Sequence, residues 1–133
     1  MDVSYLTFDQ RAEILPAFIK ELKTTEKKQI RGRLFNGKGG CCALGIFAEL
    51  LIEKYPESFS KNDDETLFSV DPKAFGTYLH SNLDRPVLTK GGIPVDIWYM
   101  FNMPCSQSLI QAYNDDKRMT FFEIAEEIEG MTN

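Results

Sequence analysis

Cys41 and Cys42 are the residues of this chain whose type and position best suit chemistry. They follow Gly39-Gly40 and open an apolar run at helical spacing, where unpaired amides and the helix dipole would stabilise a thiolate. His80 is the only histidine, with Asn82, Asp84 and Asp96 near enough in sequence to orient it. A cysteine-dependent hydrolase or transferase would use Cys42 as nucleophile, His80 as base and Asp84 to hold the imidazole. The competing reading is burial. Cysteine is among the most buried residue types, and small residues at a helix start commonly pack inward, so the two thiols are read as interior and no catalytic residue is assigned.

Other constellations fall short of their chemistry. The three cysteines and His80 total the ligands of a zinc site, but there is no Cys-x-x-Cys pair and neighbouring residues seldom point at one ion, so no metal is expected. Gly37-Lys38-Gly39-Gly40 has the composition of an anion cradle without the full phosphate-loop run, and no cofactor is expected. Asp63-Asp64-Glu65 lacks the ligand number and spacing of a calcium loop. Asn114 and Asp115 are read as bonding nearby backbone amides, closing the link between the last two helices.

The surface candidates come from charge and aromatic content. The net charge of −5 opposes binding to nucleic acid, whose affinity for proteins rests on cations. Yet from Lys20 to Lys38 seven basic residues stand against two acidic ones, leaving the remainder strongly acidic. Lys27, Lys28, Arg31 and Arg33 therefore make a candidate partner-binding segment. Trp98 and Tyr99 join them, because the cluster Trp98, Tyr99, Met100, Phe101 and Met103 is rich in the side chains that interfaces over-use.

The elements that must position these residues are mostly helices. Thr7 with Gln10 forms a capping box before Phe8, Ala12, Leu15, Phe18, Ile19 and Leu22, and Pro16 predicts either a kink or a second helix starting there. Arg31 to Phe35, Asn36-Gly37 and Lys38 to Cys41 predict a short β-hairpin. Leu44, Phe47, Ala48, Leu51 and Ile52 predict a central helix over about Cys42 to Tyr55, stopped by Pro56. Strands are expected at Thr66 to Val70 and Arg85 to Thr89, and Asp71-Pro72 should open a short helix reaching His80. Pro94 opens an aromatic-rich helix, Ser106 caps the next, and Thr120 with Glu123 boxes the last, amphipathic one. The expected fold is a mainly helical α+β single domain spanning residues 1–133, with a short β-hairpin packed on a central helix.

Three stretches also meet a known pattern: the lysine-glutamine-basic segment within Glu21 to Gly32, the run Cys42-Ala43-Leu44-Gly45, and Asn114-Asp115 followed by Phe121-Phe122-Glu123-Ile124-Ala125-Glu126-Glu127-Ile128. In these the chain resembles a family of small phage and bacterial proteins with a Cys-Cys-Leu-Gly helix start, a Leu-Asn-Asp turn and a closing Phe-x-Glu-Ile-Ala-x-x-Ile helix. The resemblance implies a fold and a phage-related setting, and no particular activity. Ala43 stands where that pattern has its second cysteine. No run of about 18 apolar residues exists, and the first residues lack the layout of a signal peptide. The expectation is a cytoplasmic binding or regulatory protein, in the host cell if phage-encoded, acting through a protein partner or self-association.

Overall fold

Reciprocal hydrogen bonds start the first helix. Thr7 Oγ1 accepts the Gln10 amide (3.2 Å) while Gln10 Oε1 accepts the Thr7 amide (2.8 Å), opening α1 (Phe8–Ala12). The computed structural model describes residues 6–71 and 86–132. The chain breaks at Glu13 and resumes as α2 (Ile14–Thr24), so the proline-bearing segment is two helices and not one kinked rod. The second begins at Ile14, two residues before Pro16, which sits in the first turn where its missing amide has no intrahelical acceptor to lose. α2 buries Ile14, Phe18, Ile19 and Leu22, whereas α1 buries nothing.

The expected hairpin has neither its two-residue Asn36-Gly37 turn, since only Gly37 of that pair takes a positive φ, nor its ladder. The chain reverses instead through a longer turn, in which the Asn36 amide donates to the Gly40 carbonyl (3.2 Å) and Gly37 takes a left-handed backbone (φ +75°). The arms share one bridge, Phe35 opposite Cys41, and Gln29, ahead of the first arm, bridges the same Cys41. The returning arm is glycine-rich, and Asn36 Oδ1 takes the amides of Lys38 (2.8 Å) and Gly40 (2.9 Å). Those amides are therefore not available to an anion.

α3 (Ala43–Lys54) is the central helix, ending at Tyr55 before Pro56 and burying Ala43, Leu44, Gly45, Ile46, Phe47, Ala48 and Leu51. It leads into β1 (Phe59–Lys61), which pairs with β2 (Phe68–Val70), and β2 with β3 (Val87–Thr89), in one antiparallel sheet. Two of these strands occupy the expected stretches in shortened form. The helix expected from Asp71 towards His80 lies outside the described residues. α4 (Val95–Met100) and α5 (Gln107–Gln111) follow, a π-helical turn extends α5 through Ala112–Asp116, and α6 (Phe121–Met131) starts at the Thr120–Glu123 capping box.

One hydrophobic core joins these elements, and the fold is α+β and mainly helical. Its centre is Phe47, fully buried, with ring contacts to Phe18 (5.4 Å), Trp98 (4.8 Å) and Phe101 (6.2 Å). α2 lies against α6 on one side and α3 on the other. The start of α3 can approach the preceding segment so closely only because residue 45 is glycine: a Cβ there would lie 2.4 Å from the Leu34 carbonyl oxygen. Gly130, in α6, has open space where its Cβ would be.

Urea denaturation should therefore separate two chemically identical changes. Gly45→Ala is expected to destabilise by at least about 2 kcal/mol, because backbone must move. Gly130→Ala should stabilise by about 0.5–1 kcal/mol through helix propensity. Equal effects of either sign would contradict the close packing at the α3 start.

Candidate functional site

Three separated stretches of the chain converge on one buried amide, the side chain of Asn114, which is 1% exposed. Its Oδ1 accepts the Ala43 amide at the first turn of α3 (3.1 Å) and Gln29 Nε2 (2.8 Å). Its Nδ2 donates to the Ile30 carbonyl (2.8 Å) and to Asp115 Oδ1 (2.8 Å), and that carboxylate also accepts the Gly32 amide (3.2 Å). Gln29 completes the network, donating to the Met119 carbonyl (2.8 Å) and accepting the first amide of α6, that of Phe121 (3.1 Å). Four remote pieces of chain are thus tied through two carboxamides.

The π-helical turn places Asn114. In it the Lys117 amide reaches the Ala112 carbonyl (2.9 Å), inserting one residue relative to an α-helix and turning Asn114 inward. Asn114 and Asp115 were expected to bond locally. The partners of Asn114 are instead mostly 71 to 85 residues away. Cys42, the N-cap residue of α3, makes no side-chain capping hydrogen bond, and Asn114 takes the first amide of that helix from the far end of the chain. In the sequence Gln29 was marked only as the glutamine of the lysine-glutamine-basic segment, with no role assigned to it.

Both adjacent thiols are interior: Cys41 is 1% and Cys42 5% exposed. Burial pushes the Cys41 thiol up to about 12, against the opposing pull of Lys27. It pushes Cys42 up to about 11, against the Gly45 and Leu44 amides that face the sulfur. Desolvation therefore outweighs the helix N-terminus, and both sulfurs stay protonated near neutrality. Cys105, partly exposed, is raised in the same direction by burial. His80 and Asp84, the remaining members of the alternative catalytic set, lie outside the described residues. Among the described residues no three histidine, cysteine or acidic side chains gather as metal ligands.

The partner-binding candidates divide by environment. Lys28 and Arg31 are exposed and make no ion pair among the described residues. Lys27 pairs with Glu49 (3.3 Å), a carboxylate shared with Lys61, and Arg33 Nε donates to the Phe35 carbonyl (2.8 Å). Trp98 is corrected to a core residue: it is 1% exposed and its indole N–H donates to the Cys105 carbonyl (2.8 Å). Tyr99, on the outer side of α4, is 57% exposed and stands one turn from Val95, which is also exposed. Among the described residues no helix is long and apolar enough to cross a membrane. Compared with family models, curated proteins and solved structures, the chain finds no match.

The buried amide network has a measurable energetic signature. Asn114→Ala should lower unfolding stability by about 2–4 kcal/mol, since it strands buried donors and acceptors. Asn114→Asp should cost more at neutral pH, where a carboxylate would face the Ile30 carbonyl and Asp115, and should recover partly in acid. A loss under about 0.5 kcal/mol for Asn114→Ala would show that the network carries little stability.

The thiols make a second test. Near neutral pH a thiol reagent should leave Cys41 and Cys42 unmodified in the native protein and label both promptly in denaturant. Their folded values lie above the ordinary 9.0. Their stabilising contribution is therefore whole below pH 9 and fades as pH climbs towards about 11 and 12, so chemical stability should fall in that window. Flat stability across it, or rapid native labelling of Cys42, would contradict the interior assignment.

Proposed function

We propose that the chain is a small cytoplasmic, phage-related binding or regulatory protein that works through contacts with another protein. The observation that supports this most is how the basic turn is held. Gln29 and the Ile30 carbonyl are tied into the Asn114 network, while Lys28 and Arg31 on either side of them stand exposed without ion-pair partners among the described residues. A cationic surface fixed to the core loses little conformational freedom on binding, which is how preorganisation raises affinity. Its complement is an acidic surface, and the attraction would speed encounter as well as select the partner.

Capture from cell extract, with the wild type compared against Lys28→Gln/Arg31→Gln, tests the reading. Both residues are exposed, so the double variant should keep its thermal midpoint. It should lose a partner that wild type retains at low salt and releases at high salt. An unchanged retained set would remove the basic turn from the function.

A further inference from the structure

α1 packs on its neighbour α2 but buries none of its own residues. Isolated helices shorter than about 12–15 residues are marginal in water, and this one has five residues, none of them buried. Its Phe8 is 73% exposed, the most exposed large apolar side chain among the described residues. On the same side the face continues through Ala12 into a groove of about 660 Å³, floored by Leu15, Pro16 and Ile19 of α2 and bounded across by Glu129 of α6. For scale, a cavity of about 150 Å³ admits benzene.

An unpartnered aromatic knob and an apolar groove thus share one face, separated by about one helical turn or about 6 Å. That juxtaposition is self-complementary in the sense a two-fold axis demands, since each copy offers both the knob and the hole. The charges agree. Asp9, beside Phe8, is exposed, and so is Lys20 on the groove rim; neither makes an ion pair among the described residues. The other lysine of the rim, Lys23, is already paired with Glu129 (2.9 Å). Seating Phe8 in a facing groove would bring Asp9 towards the facing Lys20.

We infer that the groove's occupant is a second copy of this chain, in a two-fold dimer where each copy places Phe8 in the other's groove and sets Asp9 against the other's Lys20. This inference is independent of the basic turn, which lies on a different segment. The dimer covers the side chain that folding leaves exposed, and it adds apolar packing to the short α1.

Sedimentation velocity over a concentration series provides the test, with thermal unfolding of each variant to confirm that these exposed substitutions leave the fold intact. Wild type should show a concentration-dependent monomer–dimer equilibrium. Phe8→Ser should weaken it at least about 30-fold, the effect of removing a central aromatic anchor. Asp9→Lys and Lys20→Glu should each weaken association several-fold at low salt, and the double variant Asp9→Lys/Lys20→Glu should restore it by exchanging the pair. A chain that stays monomeric throughout, a dimer indifferent to Phe8→Ser, or a double variant no better than its parents would overturn the inference.

Discussion

A helix that begins in a protein interior strands amide hydrogens that water cannot reach, and α3 begins at Ala43, which has no accessible surface. Leaving such a donor unpaired costs on the order of 1–3 kcal/mol, so the central helix can occupy the core only if an acceptor is brought to it. Cys42, in the capping position, makes no side-chain capping hydrogen bond. Asn114 supplies the acceptor, and much of the remaining architecture follows from keeping that one carboxamide in place: the π-helical turn that aims it, Gln29 beside it, and Asp115 bonding its other end. Because Gln29 also takes the first amide of α6, one network joins the central helix to the last.

The same interior start decides the chemistry of the cysteines. Position alone would make Cys42 acidic, since its sulfur faces amides of the first turn, and those amides do pull in that direction. Removal from water acts on the whole charge of a thiolate, whereas each amide offers only a partial one, so burial prevails. At Cys41 the pull of Lys27 is opposed by Cys42 and Glu49, and desolvation dominates there too. A cysteine at a helix N-terminus is thus a reagent only when the start of the helix is also wet.

What was legible in the sequence was local. Both Thr-x-x-Gln/Glu boxes form, the Pro16 segment divides into two helices although at Glu13, Pro56 follows the end of α3, and Ser106 caps α5, because each rule acts within one turn of backbone. At Asn36-Gly37 the chain does reverse, but through a longer turn closed from Asn36 to Gly40, and the ladder fails because pairing depends on what the returning arm can offer across the gap. Trp98 and Tyr99 were indistinguishable by composition. Only the packing of α4 against Phe47 decides that one enters the core and the other faces out. Gln29 and Asn114, 85 residues apart, were illegible as a pair, since no periodicity links a residue to a partner at that distance.

Dependence of Ala43 on an acceptor 71 residues downstream also sets a timetable. During synthesis the hydrophobic stretch of α3 leaves the ribosome well before Asn114 is made, so the nascent chain carries a sticky, uncapped segment that cannot settle into its final docking. Consolidation must await the closing helices, which makes acquisition of the native state a late and nearly all-or-none event, and leaves fragments that stop short of the π-helical turn exposed to proteases.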